Sequence, residues 1–139
     1  QLQLRIASGE PLGISQGDLV QRGHAIELRL YAEDPSRNFL PSPGTITRLS
    51  WPEGEGLRID SGVEEGSKVT PFYDPLLAKL VVLGASRDEA IATARRALDG
   101  LVVEGVKTNA ALLARVLDDP GFQRGELAIH YLAQLLRQS

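Results

Sequence analysis

The sequence predicts an α+β domain in which a mainly antiparallel sheet has helices packed on one side. Alternating apolar and polar residues, which are typical of half-buried strands, lie between residues 25 and 83, whereas helical periodicity lies between residues 86 and 136. Strands and helices therefore follow one another in blocks, unlike the alternation of a doubly wound parallel sheet. The chain has 139 residues, which is enough for one domain with its own core.

The strands are predicted from alternation between turn-forming residues. An apolar opening segment ending at Gly9 is typical of a short helical turn, because glycine tolerates the left-handed conformation of a helix C-terminus. Residues 33–44 contain three prolines and are predicted to form a loop that Phe39 and Leu40 attach to the core. One helical turn is expected at Asp74-Pro75. The predicted strands are residues 25–32, 45–51, 57–61, 68–70 and 78–83.

The first long helix is predicted from a capping box. Ser86 and Glu89 have the S-x-x-E spacing in which each side chain bonds a backbone N–H group at the start of a helix. The apolar residues that follow recur at helical spacing and define one face, namely Ile91, Ala94, Leu98 and Leu101. The segment VVEGVKT after this helix is interpreted as a short strand or connector.

Two more helices are predicted before the end of the chain. The first has Thr108 as its N-cap and stops at Asp119-Pro120, because the residue before a proline disfavours helical geometry. The last helix spans GELAIHYLAQLLRQS, and we expect its buried stripe to contain Ile129, Leu132 and Leu136.

Composition excludes several classes of protein. The net charge of −3 argues against broad nucleic-acid binding, which needs clustered positive charge. No apolar run approaches the roughly 18 residues of a membrane span, so no membrane association is expected. The absence of cysteine excludes disulfides and thiolate metal sites and fits a cytoplasmic location. The chain also lacks methionine, even at position 1, and we expect it to be an internal piece of a longer protein.

Local motifs for catalysis are missing from the sequence. No phosphate-binding glycine loop or G-x-S-x-G nucleophile motif is present. The two histidines, His24 and His130, have no ligand-like spacing, so no metal site is predicted. Taken alone, Glu27 and Arg29 on the open face of the first strand are interpreted as a solvated surface.

Five segments nevertheless resemble one family in order and spacing. GHAIELRLYAEDP, FLPSPGTI, FYDPLLAKL, GVKTN and IHYL together are similar to the C-terminal domain of biotin carboxylase, over about residues 2–136. This enzyme component belongs to the biotin-dependent carboxylases of acetyl-CoA, propionyl-CoA, methylcrotonyl-CoA and pyruvate. The resemblance implies one domain over residues 1–139, with the N-terminal and ATP-grasp domains of the family absent from the chain.

The resemblance also implies a reaction. In the family, ATP and bicarbonate form carboxyphosphate, and the CO2 released from it is captured by the ureido nitrogen of biotin on a carrier protein. ATP and Mg²⁺ are bound mainly by the ATP-grasp domain, so the chain alone is expected to be inactive. The implied partners are the carrier protein or domain, a carboxyltransferase component and a second copy in a homodimer.

Four residues of this chain match positions with roles in the family. Arg29 matches the arginine that contacts the ureido oxygen of biotin and stabilises the enolate, and Glu27 is expected to orient it in the biotin site. Ile129 matches an apolar contact to the adenine of ATP, although its helical spacing equally fits a core position. Arg58 matches an arginine of the bacterial dimer interface, where Glu55 replaces an aromatic residue that often precedes it.

Three interpretations of the chain remain open at this point. The first is a catalytic domain that supplies Arg29, and the second is an assembly or dimerisation module in which Arg29 is incidental. The third is the corresponding domain of an ATP-grasp relative with another acceptor, such as a purine-pathway carboxylating enzyme. The segments ELRLYAEDP and FLPSPG argue against this third interpretation. Asp74 and Lys79 are interpreted as structural, and the final acceptor of the carboxyl group is not predicted.

Overall fold

The computed structural model describes residues 1–137 and confirms the predicted α+β fold class. Strand pairing is antiparallel throughout the described residues, and the long helix follows the strands of the central sheet in the chain. The strands are β1 (His24–Tyr31), β2 (Glu33–Asp34), β3 (Leu40–Pro41), β4 (Gly44–Thr45), β5 (Arg48–Ser50), β6 (Leu57–Ser61), β7 (Lys68–Val69), β8 (Leu76–Gly84) and β9 (Val102–Glu104). The helices are α1 (Leu2–Ala7), α2 (Arg87–Asp99), α3 (Ala110–Asp118), α4 (Pro120–Arg124) and α5 (Tyr131–Arg137).

The central sheet has three strands in the order β1-β8-β6. Leu80 in β8 lies opposite Leu28 in β1 and Ile59 in β6, so one row of apolar side chains crosses the inner face of the sheet. The other six strands within residues 1–137 form three further antiparallel pairs, β2–β3, β4–β7 and β5–β9. The alternation in β1 correctly predicts which side chains are buried, since Ile26, Leu28 and Leu30 face the core.

Helix α2 covers the inner face of the sheet. Half of the predicted capping box is present, because the Ser86 side chain accepts a hydrogen bond from the backbone N–H group of Glu89. The Glu89 carboxylate instead accepts from the N–H group of Ala85, at 2.8 Å. Alanines at positions 90, 94 and 97 are buried and allow the helix to approach the strands closely. At Gly84, which ends β8, an added Cβ atom would lie 2.5 Å from the backbone nitrogen of Ala90. The chain therefore needs a glycine where the strand passes the helix.

The predicted strand over residues 45–51 is wrong as a continuous element. The structure divides it into β4, which pairs with β7, and β5, which pairs with β9. Ile46 lies between the two short strands and is fully buried. Alternation detects the extended backbone here, but it does not reveal that the chain changes partner at the buried residue.

The helical turn expected at Asp74-Pro75 is also wrong. The Asp74 carboxylate accepts a hydrogen bond of 2.9 Å from the backbone N–H group of Leu76, and β8 begins directly at Leu76. Aspartate and proline favour turns as well as helix starts. An aspartate side chain can bond the backbone two residues later, and proline fixes the φ angle that a turn needs. The pair therefore starts a strand instead of a helix.

Two details of the C-terminal helices require correction. The N-cap of α3 is Asn109 instead of Thr108. The predicted stripe of the last helix is wrong for Ile129 and Leu132, which are exposed, whereas Leu135 is buried. The helix begins only at Tyr131, so the register of its buried face differs from the predicted one. The last two residues of the predicted segment, Gln138 and Ser139, lie outside the described residues.

The proline-rich loop is held by the buried carboxylate of Asp34. This carboxylate accepts hydrogen bonds from Lys107 Nζ at 2.5 Å and from Ser36 Oγ at 2.6 Å. Lys107 Nζ, Ser36 and the neighbouring backbone N–H group lower the pKa of Asp34 from 3.8 to about 2. The expected attachment by Leu40 is wrong, because Leu40 is exposed, while Phe39 is half-buried.

This ion pair predicts a pH dependence of stability. Because the pKa of Asp34 is lowered on folding, its contribution is complete above the ordinary value of 3.8 and is lost as the pH falls towards about 2. The difference in unfolding midpoint between the natural chain and Asp34→Asn should therefore shrink across this range. Chemical denaturation at a series of pH values measures it. In a Lys107→Met background the same comparison should be much less dependent on pH, and an unchanged dependence would contradict the assignment.

None of the helices within residues 1–137 has the length and apolar character needed to cross a membrane.

Candidate active site

Arg29 lies near the end of β1, on the face of the sheet opposite the core. Strand alternation places Leu28 and Leu30 in the core and directs Arg29 outward. The Arg29 side chain is 45% exposed. The guanidinium is therefore carried by a well-packed strand and remains accessible from outside the domain.

The Arg29 guanidinium is held by its two neighbours on the same face. Its Nε and Nη2 groups both donate to the Tyr31 hydroxyl oxygen, at 2.9 and 2.6 Å, and Cζ lies 5.4 Å from the centre of the Tyr31 ring. Arg29 Nη1 lies 3.7 Å from a carboxylate oxygen of Glu27. The hydrogen bond to Tyr31 is the main cause of a raised pKa of Arg29, and the charges of Glu27 and Asp74 act in the same direction.

The geometry of this cluster leaves one side of the guanidinium for a ligand. A guanidinium presents its N–H donors along a flat fork, and the Tyr31 hydroxyl occupies the side formed by Nε and Nη2. The end formed by Nη1 and Nη2 is not used by that hydroxyl. An oxygen atom with negative charge can be bound there by two parallel N–H groups.

The outer face of the sheet also brings Arg58 and Arg29 onto one surface. In the register of the sheet, Arg29 lies opposite Lys79, which in turn lies opposite Asp60. Arg58 is two residues before Asp60 on the same strand, and its Nη2 atom lies 3.0 Å from an Asp60 carboxylate oxygen. The two arginines are on the two outer strands, and the backbones of these strands are about 10 Å apart.

Ile129 is the residue for which sequence reasoning left two roles open. The structure places it in the turn before α5, where its side chain is 95% exposed. A core role is therefore wrong in this structure. An exposed apolar side chain is free to contact a planar ring, and the adenine contact stays a prediction.

Asn109 is a neighbour of Arg29 that sequence reasoning missed. Its side-chain amide is buried, donating from Nδ2 to the Arg29 carbonyl oxygen at 3.1 Å and accepting from the Tyr31 N–H group at 2.9 Å. These residues are about 80 positions apart in the chain. Nothing in the local segment GVKTN distinguishes such a contact from a helix cap.

The described residues do not fit a metal centre. Within residues 1–137, His, Asp and Glu side chains form no group of three that could hold a metal ion. His24 instead lies beside Arg87, with 3.1 Å between His24 Nε2 and Arg87 Nη1.

Comparison with known proteins gives a consistent set of relatives. The family model for the biotin carboxylase C-terminal domain matches residues 27–134. The chain is 49% identical over 135 residues to a biotin carboxylase of Halalkalibacterium halodurans, covering 97% of the chain and 30% of that protein. It is 50% identical over 133 residues to a biotin carboxylase of Pseudomonas aeruginosa, covering 96% of the chain and 29% of that protein. The chain thus spans less than a third of the length of these relatives.

Solved structures agree with the sequence relatives. The biotin carboxylase domain dimer of Hydrogenobacter thermophilus 2-oxoglutarate carboxylase, in complex with MgADP, ADP and bicarbonate, is similar with a TM-score of 0.93 at 41% identity. That comparison covers 95% of this chain and 29% of the other. The biotin carboxylase subunit of a pyruvate carboxylase has a TM-score of 0.94 at 40% identity, covering 97% of this chain and 30% of that subunit.

Proposed function

Because the chain belongs to the biotin carboxylase C-terminal domain family, we propose that it supplies Arg29 to the ATP- and bicarbonate-dependent carboxylation of biotin on a carrier protein. The observation that carries this proposal is the geometry of Arg29. Its guanidinium is hydrogen-bonded to Tyr31 on a packed strand, its side chain is 45% exposed, and the Tyr31 hydroxyl does not use the end formed by Nη1 and Nη2. Rigid strands hold functional groups more firmly than loops do.

Arg29 acts by stabilising negative charge. Removal of a proton from a urea nitrogen shifts negative charge onto the urea oxygen, and a guanidinium placed there beforehand lowers the energy of the transition state. Arginine suits this task because it stays cationic and offers a planar pair of donors, whereas lysine offers a single flexible point charge. The guanidinium of arginine stays protonated at neutral pH without any help from its surroundings.

Glu27 is proposed to orient Arg29 within the biotin site. The distance of 3.7 Å between Arg29 Nη1 and Glu27 Oε1 allows an electrostatic attraction without a direct hydrogen bond. Both side chains are partly exposed, so this attraction by itself contributes little to stability. Its proposed effect is on the direction of the guanidinium and on the total charge near the biotin ring.

The nucleotide is proposed to touch this chain at Ile129. The side chain is largely exposed and lies next to no packed core, so an adenine ring can cover it without displacing other residues. ATP phosphates and Mg²⁺ are proposed to be held by the ATP-grasp part of the complete protein. Bicarbonate would supply the carboxyl group and ATP the phosphoryl group that activates it, while residues of this chain bind and orient.

Comparing the activity of the chain alone with that of the complete protein tests whether this domain works as one part of a larger enzyme. We expect the chain of 139 residues alone to show no biotin-dependent hydrolysis of ATP, and the complete protein that contains it to show such hydrolysis. The measurement is phosphate release with bicarbonate, in the presence and absence of free biotin. Biotin-dependent hydrolysis by the chain alone would contradict the division of labour proposed here.

An assembly role is the second candidate function. The biotin carboxylase domain of Hydrogenobacter thermophilus 2-oxoglutarate carboxylase forms a dimer in its solved structure. We propose that Arg58 contributes to a homodimer contact in this protein. Arg58 is exposed and pairs with Asp60 of its own strand, so a partner must share or replace that ion pair. The carrier protein and a carboxyltransferase component are proposed as further partners.

Sedimentation tests the homodimer. We expect Arg58→Glu to shift the complete protein from dimer to monomer, because the new carboxylate repels Asp60 and reverses the charge offered to the partner. Arg48→Glu is the matched control, since Arg48 is also an exposed strand arginine paired with a carboxylate, that of Glu104. Equal sedimentation of the natural protein and Arg58→Glu would remove Arg58 from the interface.

A further inference from the structure

At Arg29 and Tyr31, the outer edge of β1 is hydrogen-bonded by a residue from outside the central sheet. In the order β1-β8-β6, β1 has a partner on one side only, and the Ala32 N–H group donates towards that side, to the Pro75 carbonyl oxygen at 2.8 Å. Backbone groups alternate between the two edges of a strand, so the groups of Arg29 and Tyr31 face away from β8. An unpaired edge of this kind needs other hydrogen-bond partners.

Asn109 provides these partners. Its side-chain amide binds the Arg29 carbonyl and the Tyr31 N–H group, and its own backbone N–H group donates to the Tyr31 carbonyl at 3.2 Å. The side chain thus takes the place of a peptide group in a neighbouring strand. Asn109 is the N-cap of α3, yet its side chain makes no capping hydrogen bond to that helix. The buried amide is therefore committed to β1.

We infer that Asn109 is a positioning residue for Arg29, an inference that rests on the function proposed for Arg29. The register between β1 and β8 is irregular between Leu30 and Tyr31, so β8 alone does not fix the backbone at this point. The amide of Asn109 spans that point and sets the separation between Arg29 and Tyr31. The two hydrogen bonds from the guanidinium to Tyr31 depend on this separation.

The substitution Asn109→Asp distinguishes a role in positioning Arg29 from a role in packing alone. It has the shape of asparagine, but it cannot donate to the Arg29 carbonyl and places a carboxylate oxygen against it. In the complete protein we expect Asn109→Asp to lower kcat for biotin carboxylation about tenfold to a hundredfold. KM for biotin and the slow bicarbonate-dependent ATP hydrolysis without biotin should stay within about twofold, because Asn109 contacts neither substrate directly.

Two further variants test whether the loss is specific to the hydrogen bonds of Asn109 or is a general effect of changing a hydrogen-bonded amide. Asn109→Ser is polar but too short to span both backbone groups, and we expect the same selective loss of kcat. Gln123→Glu makes the matched amide-to-carboxylate change at a side chain that donates to the Leu117 carbonyl oxygen, and it should leave kcat unchanged. If Asn109→Asp and Asn109→Ser lower the activities with and without biotin equally, Asn109 is only structural and the inference is wrong.

A double-mutant cycle completes the test. If Asn109 acts through Arg29, then Asn109→Asp should lower kcat less than about twofold in an Arg29→Lys background. A full additional loss in that background would overturn the inference and leave the role of Arg29 intact. An Arg29→Lys variant with unchanged biotin-dependent turnover would instead remove the proposed function, so the two failures are distinguishable.

Discussion

Arg29→Ala is expected to lower the biotin-dependent turnover of the complete protein by about a hundredfold to a thousandfold, or roughly 3–4 kcal/mol in the barrier. The reason is that, in the proposed role of Arg29, negative charge on the ureido oxygen would lose two N–H groups and the positive charge that stabilise it. The fold should survive, because the Arg29 side chain is 45% exposed and the core side of β1 is unchanged. Phosphate release and carboxybiotin formation, each measured with free biotin, check the expected result.

Two controls define the meaning of this result. Bicarbonate-dependent ATP hydrolysis without biotin should be nearly unaffected in Arg29→Ala, because the proposed role of Arg29 is confined to biotin. Arg48→Ala removes another exposed strand arginine that pairs with a glutamate, and it should leave turnover within about twofold. Unchanged biotin-dependent turnover in Arg29→Ala would exclude Arg29 from the reaction and favour the assembly role of the domain.

Leu80→Ala is expected to give the largest loss of stability among single changes in the sheet. Leu80 is fully buried in the middle strand, between Leu28 and Ile59, and faces the alanine-rich side of α2. Truncation removes three buried carbon atoms and leaves a cavity that neighbours on two strands cannot fill. Losses of about 2–5 kcal/mol in the free energy of unfolding are typical of such sites. Urea denaturation followed by circular dichroism measures the loss.

Leu83→Ala provides the matched control on the same strand. Leu83 is 55% exposed and lies on the outer face of β8, so its truncation opens no cavity in the core. We expect a loss below about 1 kcal/mol. Equal losses in Leu80→Ala and Leu83→Ala would contradict the assignment of the core to the α2 side of the sheet.

Local patterns predict those parts of the fold that depend on local physics. The alternation around Arg29 is readable because a strand with one buried face requires it, and the Ser86 cap is readable because its partner, Glu89, is three residues away. Resemblance of five ordered segments then predicted the family. Composition and periodicity alone left Glu27 and Arg29 as a solvated surface, since a charged strand face has no chemical signature of its own.

The remaining features depend on contacts distant in sequence. The break at Ile46 arises because β4 and β5 pair with strands that lie later in the chain, β7 and β9. Asp74 precedes a strand instead of a helix because the chain pairs with β1 from Leu76 onward, where Leu76 lies opposite Tyr31. Asn109 binds backbone groups about 80 positions earlier, and no pattern in its own segment encodes that partner. Such contacts become visible only when the tertiary structure is known.

The pairing of Arg29 with Tyr31 has a consequence for inhibitor design. Because the Tyr31 hydroxyl occupies the Nε side of the guanidinium fork, a small molecule that binds Arg29 without displacing Tyr31 has to use the end formed by Nη1 and Nη2. A planar carboxylate or a cyclic urea can bind at this end. A compound that binds the Nε side must first displace the Tyr31 hydroxyl. Compounds selected against this protein should therefore differ in ranking from those selected against a relative with a smaller side chain at position 31.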